Sequence, residues 1–123
     1  MLKRENFSIK TLSYNEYSYA NPGTKFYYNY EPNGSTLLYS DFFETDGTKT
    51  IDIKDAKTFD EQIYNIIKDW KRNYKPEQQI FDSLYWELKI TLQDDTNYRF
   101  KGYHETPENF EVFEDFLTML SKC

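Results

Sequence analysis

One stretch of this chain alternates between apolar and polar side chains without interruption, and this regularity constrains the fold more than any other feature. Between residues 84 and 92 every second residue is a large apolar one. Successive side chains of a β-strand point to opposite faces of a sheet, so the pattern predicts a strand with one buried and one open face. The apolar members are Leu84, Trp86, Leu88, Ile90 and Leu92.

A second strand is predicted directly after this one. Residues 94–97 read Asp-Asp-Thr-Asn, which is a turn signal. Tyr98, Phe100 and Gly102 then follow at alternate positions, facing the core. The two segments are therefore predicted to form an antiparallel hairpin.

The first half of the chain is predicted to form a β-meander. Residues 7–14 alternate loosely between apolar and polar side chains. Three runs rich in Tyr, Phe, Ile and Thr follow, and Asn-Gly and Asp-Gly pairs separate them, which supply the positive φ of tight hairpin turns. The three runs span residues 25–31, 36–44 and 48–53.

Two segments have the spacing of amphipathic helices. In the first, Thr58 and Glu61 form a capping-box pattern and Pro76 ends the helix. In the second, Thr106 is the predicted N-cap and Pro107 the first helical residue. The apolar stripes consist of Phe59, Ile63, Ile66, Ile67, Trp70 and Tyr74 in the first helix, and of Phe110, Phe113, Phe116, Leu117 and Leu120 in the second.

This order of elements predicts the α+β class, with an antiparallel sheet (meander, helix, hairpin, helix) and two helices on one face. Placing both apolar stripes on the same side leaves the other sheet face open. The 123 residues are expected to form a single domain, residues 1–123. No run approaches the ~20 apolar residues of a membrane span, and no apolar segment of a signal peptide follows Met1–Glu5. We therefore expect a cytoplasmic protein that does not contact membranes.

The second half of the chain, residues 58–120, carries a recognisable set of residues. They are Trp70, Asp82, the strand pattern Trp86-x-Leu88-x-Ile90, Gly102, and Pro107-x-Asn109-Phe110 before a short helix. In these positions the chain resembles a small bacterial α+β domain of uncharacterised function, and the resemblance implies no activity. Asp82-Ser83 and Asp94-Asp95 stand where the pattern of that domain has Asp-Gly.

In size, acidity and tyrosine content the chain is similar to phage-encoded inhibitors of bacterial defence, such as anti-CRISPR proteins. That similarity is one of type, because such proteins share no fold. It implies a protein that acts by contacting a partner.

The composition argues against most catalytic and metal-binding chemistry. The chain has one histidine, His104, and one cysteine, Cys123, so neither a zinc site nor an internal disulfide is expected. Residues 41–47 have Phe at the third position of a calcium loop and Gly at the seventh instead of the sixth. His104 beside Glu105 could be a general base, but a solvated loop histidine is the simpler interpretation. We expect no cofactor and no metal ion.

The net charge of −6 is concentrated near the C-terminus, where residues 104–123 hold five carboxylates and one lysine, a net charge of −4. Four carboxylates of the second helix fall opposite its apolar stripe. Such a surface could mimic spaced phosphates for a basic partner, although an ordinary solvated helix face is the simpler explanation. The first helix carries four cations on its outer face, for which a solvated face is again the simpler explanation. These cations are Lys68, Lys71, Arg72 and Lys75.

The twelve tyrosines are unevenly distributed, with seven in the first third of the chain. Strand alternation separates Tyr27 from Tyr28 and Tyr30, so some rings must leave the helix-covered side of the sheet. Exposed tyrosines either anchor a partner or pair with each other across strands. The seven are Tyr14, Tyr17, Tyr19, Tyr27, Tyr28, Tyr30 and Tyr39.

The sequence thus favours a non-enzymatic protein-binding module, most concretely a small acidic inhibitor of the anti-CRISPR or another anti-defence type. It would occupy a basic, nucleic-acid-binding surface of a partner, possibly a nuclease, as a monomer or homodimer. The negative charge argues against direct nucleic-acid binding. An immunity protein, a hydrolase-like enzyme using His104, and a nucleic-acid binder using the first helix are the alternatives. The predicted partner-binding residues are Tyr14, Tyr17, Tyr19, Tyr27, Tyr28, Tyr30, Glu108, Glu111, Glu114 and Asp115.

Overall fold

The computed structural model describes Glu5 and residues 7–18, 23–41, 48–75 and 84–121. Predictions that involve Tyr19, Pro76, Asp82 or Cys123 lie outside these residues. Within them the chain forms seven strands and two helices. They are β1 (Ile9–Tyr17), β2 (Thr24–Asn29), β3 (Ser35–Asp41), β4 (Thr48–Ile53), α1 (Ala56–Ile67), β5 (Asn73–Tyr74), β6 (Tyr85–Leu92), β7 (Asn97–Tyr103) and α2 (Phe110–Ser121).

The strands form one sheet in the order β4-β3-β2-β1-β6-β7-β5. The neighbours pair antiparallel, except that β5 runs parallel to β7. The meander and the hairpin are joined through β1, where Tyr14 lies opposite Phe26 of β2 and Leu88 of β6. The α+β prediction is confirmed.

Both helices cover the same face of the sheet. The ring of Phe59 on α1 stacks on Tyr28 at 4.2 Å, and Phe113 on α2 meets Tyr14 edge-on at 5.0 Å. On β6 the predicted alternation is confirmed, because its four inward apolar residues are at most 4% exposed. They are Trp86, Leu88, Ile90 and Leu92.

The two ends of α1 differ from the predicted helix. Asp55 is the N-cap instead of Thr58, and its carboxylate accepts hydrogen bonds from the Thr58 backbone N–H and hydroxyl at 3.1 and 2.7 Å. The helix ends at Ile67, and Asn73–Tyr74 becomes β5. This edge strand gains a backbone bond to the hairpin, since the Lys101 N–H donates to the carbonyl of Arg72 at 3.1 Å. The four predicted cations therefore form no helical face.

The start of α2 was also predicted too early. Residues 107–109 form a turn instead of the first helical turn, with the Phe110 N–H donating to the carbonyl of Pro107 at 3.1 Å. Pro107 is buried, whereas Thr106 is exposed. The side chain of Asn109 is held by the end of α1, and the helix begins after it.

Candidate interaction surfaces

Two of the predicted partner-binding tyrosines lie in the core. Tyr14 is 1% exposed and Tyr28 is not exposed, because both occupy strand positions that face the helices. The Tyr14 hydroxyl donates to Glu16 Oε2 at 3.0 Å, and burial is the main reason that its pKa is raised. The prediction was wrong for these two side chains, which pack inside the protein and are inaccessible to a partner.

The other predicted tyrosines divide between the two sides of the sheet. Tyr30 is half-buried and packs against the core, whereas Tyr17 and Tyr27 are exposed on the open face. Tyr27 lies directly opposite Leu38 of β3, which is also exposed. Tyr17 and Tyr27 therefore stay candidates for partner contact.

Three tyrosines on neighbouring strands of the open face stack on one another. Tyr17 of β1 lies opposite Tyr85 of β6, and Tyr85 lies opposite Tyr103 of β7. The ring centroids are 5.2 Å apart in the first pair and 4.3 Å in the second, with interplanar angles of 11° and 17°. We call these three residues the tyrosine row. Sequence reasoning missed Tyr85 and Tyr103, because only the strand register brings them beside Tyr17.

A groove of about 680 Å³ borders the tyrosine row and is called the sheet groove below. Besides the row, its lining includes the side-chain amides of Asn15 and Asn73, a cluster of cations and the carboxylate of Glu87. The cations come from three different segments, which the sheet topology brings together. They are Lys25, Lys75, Arg99 and Lys101; Glu16 also borders the groove, but its carboxylate lies on the helix side of the sheet, against Tyr14 and Glu114.

One carboxylate of the sheet groove is already neutralised. Glu87 accepts a 2.6 Å hydrogen bond from Arg99 Nε and lies 3.4 Å from Lys89 Nζ. Partial burial opposes its ionisation, but the Arg99 hydrogen bond and the two positive charges outweigh that effect, so the pKa of Glu87 is lowered. Among the described residues, no ion pair engages Lys25 or Lys101.

The outer surface of α2 carries both acidic and apolar side chains. Glu111 and Asp115 on the helix, and Glu108 in the turn before it, are exposed, as predicted. Val112 and Met119 are 54% and 57% exposed, and with Asp115 they follow one line along the helix. These five residues are called the acidic ridge. Val112 and Met119 were not among the predicted contact residues, although both lie outside the predicted apolar stripe.

Glu114 does not belong to the acidic ridge. Its side chain is half-buried, and its carboxyl lies against Glu16 of β1. Burial and the neighbouring charge of Glu16 raise its pKa to about 7. The predicted surface of four carboxylates thus has three, and the fourth lies between α2 and the sheet.

His104, the predicted general base, follows the end of β7 with a φ of 67°. Its backbone N–H donates to the carbonyl of Leu84 at 2.8 Å. The His104 side chain is exposed and does not line the sheet groove. Within the described residues there is no group of three His, Cys, Asp or Glu side chains that could hold a metal ion. In the same part of the chain, no helix is long and apolar enough to cross a membrane.

Comparison of the chain with models of protein families, with curated proteins and with solved structures gives no match. Two surfaces of the protein are the candidates for function. One is the acidic ridge, on the helix side of the sheet. The other, the sheet groove with its tyrosine row, lies on the open side.

Proposed function

We propose that this protein is a non-enzymatic binding module that docks on a basic surface of a protein partner through the acidic ridge. The observation that carries the proposal is the exposure of Val112 and Met119 among carboxylates on one helix face. Most interface energy comes from a few buried apolar anchors, while surrounding charges select the partner. Val112 and Met119 place exposed apolar surface directly beside the carboxylates, which is the combination that such a contact uses.

The most concrete form of this function is inhibition of a nucleic-acid-binding enzyme. Glu108, Glu111 and Asp115 are exposed, and no described cation forms an ion pair with them. Unpaired carboxylates on a convex helix complement a groove lined with Lys and Arg, which normally holds phosphates. An anti-defence inhibitor would use this surface, and so would an immunity protein that neutralises a nuclease toxin.

The test measures whether the protein, at stoichiometric amounts, prevents nucleases with basic grooves from binding duplex DNA in a gel-shift assay. We expect Glu108→Lys with Glu111→Lys to abolish the inhibition, because two attractive charges become repulsive. Val112→Ser with Met119→Ser is expected to weaken it through the loss of apolar contact. Unchanged inhibition by the charge-reversed variant would contradict the proposal.

A matched control separates the acidic ridge from total charge. Glu61→Lys with Asp69→Lys reverses two exposed carboxylates that are not part of the acidic ridge, and both double variants change the net charge from −6 to −2. We expect the control variant to inhibit like the wild type. Equal loss of inhibition in both variants would assign the effect to net charge and would exclude the acidic ridge as the contact surface.

A further inference from the structure

We infer that the sheet groove and the tyrosine row form a second binding surface, which takes a short acidic segment of a protein partner. This surface lies on the open side of the sheet, away from the acidic ridge, and it has the opposite charge. The inference does not depend on the function proposed for α2. It assigns a role to a part of the described surface where several cations and aromatic rings are grouped together.

The charge of the groove differs in sign from that of the whole chain. Its lining holds four cations and one carboxylate that faces the open side, that of Glu87, whereas the chain has a net charge of −6. Arg99 is already bound to Glu87, so the lysines Lys25, Lys75 and Lys101 determine what the groove attracts. A local positive potential with hydrogen-bonding amides beside it favours carboxylate groups.

The geometry of the tyrosine row distinguishes a protein ligand from a nucleic acid. Both ring faces of Tyr85 are covered, by Tyr17 at 5.2 Å and by Tyr103 at 4.3 Å. Single-stranded nucleic acids bind by stacking bases on exposed ring faces, and Tyr85 offers none. Between its two neighbours Tyr85 presents its ring edge and hydroxyl group instead, which are tyrosine contacts that protein interfaces use. The net negative charge of the chain further disfavours a long polyanion.

The size of the groove limits the ligand to a short segment. Its volume of about 680 Å³ lies within the range of roughly 300–1,000 Å³ that is typical of sites for small ligands. Such a groove has room for a few side chains and cannot enclose a folded domain. Asn15 and Asn73 line it as well, and their amides can pair with the polar backbone of an extended peptide.

The experiment is a titration of the isotope-labelled protein, followed by backbone amide chemical shifts. The probe is an acetylated hexapeptide with four glutamates and two phenylalanines, and a peptide with glutamine in place of glutamate is the control. We expect the acidic peptide to shift the amides of Tyr17, Tyr85 and Lys101 at millimolar concentrations. The glutamine peptide is expected to bind at least about fivefold more weakly. Equal binding of both peptides, or no shift at the groove, would overturn the inference.

Two variants connect the effect to the groove. Lys25→Gln with Lys101→Gln is expected to weaken binding of the acidic peptide about fivefold or more, while Glu108→Gln with Glu111→Gln leaves it unchanged. All four side chains are exposed, so the folded spectrum serves as the check on integrity. Tighter binding of oligothymidine than of the peptide at the same amides would assign the groove to nucleic acid and overturn the inference.

Discussion

The indole nitrogen of Trp70 donates a 2.6 Å hydrogen bond to the side-chain oxygen of Asn109. The amide nitrogen of Asn109 donates in turn to the carbonyl of Ile66, also at 2.6 Å. One asparagine therefore connects the end of α1 and the loop after it to the start of α2. Trp70 is 8% exposed and meets Trp86 edge-on at 5.5 Å, so this connection lies at the margin of the core.

Replacement of Asn109 by alanine is expected to lower the free energy of unfolding by about 2–4 kcal/mol, because the largely buried Trp70 N–H and the Ile66 carbonyl both lose a partner. Urea denaturation measures the loss. Asn97 is the control: its side chain also takes part in two hydrogen bonds, but they are exposed. Asn97→Ala is expected to cost less than about 1 kcal/mol. Similar losses in the two variants would contradict the special role of Asn109.

Gly102 is held by a close approach of Trp86. A Cβ atom at Gly102 would lie 2.3 Å from Trp86 Nε1 and 2.6 Å from the carbonyl oxygen of Glu105, two atoms that are themselves hydrogen-bonded at 3.0 Å. Gly102→Ala is therefore expected to destabilise the protein by about 2–3 kcal/mol, through overpacking and displacement of the indole. Thermal unfolding and tryptophan fluorescence both report this change.

A double-mutant cycle checks the cause. In a Trp86→Phe background the indole nitrogen is absent, so the added cost of Gly102→Ala is expected to fall by about 1 kcal/mol or more. Strictly additive losses would show that the Trp86 contact is not what excludes a side chain at residue 102.

The sequence correctly predicted those elements that a short run of neighbouring residues encodes by its pattern. The alternation along β6 identified its buried face, because one strand with one covered side determines every second residue. The helical spacing of Trp70 and Tyr74 was misleading, since both side chains pack on the core from outside any helix. A two-residue strand such as Asn73–Tyr74 has too few positions to show a period.

The candidate surfaces depend on information that the sequence does not show locally. Tyr17 and Tyr85 meet only because β1 pairs with β6, a contact between distant segments that pattern analysis does not register. Tyr14 and Tyr17 were both predicted to bind a partner because the first third of the chain is rich in tyrosine. They are three positions apart on one strand, so their side chains point to opposite faces of the sheet. Val112 could have been recognised from its place outside the apolar stripe of α2.

The two buried tyrosines are expected to respond differently to loss of the hydroxyl. The Tyr28 hydroxyl has Ser35 as its polar neighbour but makes no hydrogen bond of good geometry with a described residue. Tyr28→Phe is therefore expected to change the free energy of unfolding by less than about 1 kcal/mol or to raise it. Tyr14→Phe removes a donor to Glu16 and is expected to cost about 1–2 kcal/mol. Chemical denaturation of the two variants measures both changes in the free energy of unfolding. A larger loss for Tyr28→Phe than for Tyr14→Phe would contradict this account.

The stability of the protein is expected to decrease between pH 4.5 and pH 7. In the folded state, burial and the charge of Glu16 raise the pKa of Glu114 from 4.5 to about 7. Below pH 4.5 the carboxyl is protonated in both states; as pH rises, the unfolded chain loses the proton first, which favours unfolding until the folded pKa is passed. Since Glu114 is only half-buried and solvent screens part of the effect, we expect a loss of about 1–2 kcal/mol.

Replacement of Glu114 by glutamine is expected to flatten this pH dependence, because the amide does not ionise while Glu16, Glu111 and Asp115 stay in place. At pH 8 the variant is expected to be more stable than the wild type, and at pH 4 similar to it. Part of the slope will persist, since burial raises the pKa of Asp60 from 3.8 to about 7, and Asp60→Asn in addition should remove it. Urea denaturation at each pH measures the curves, and a slope unchanged by Glu114→Gln would show that this carboxyl is ionised between α2 and the sheet.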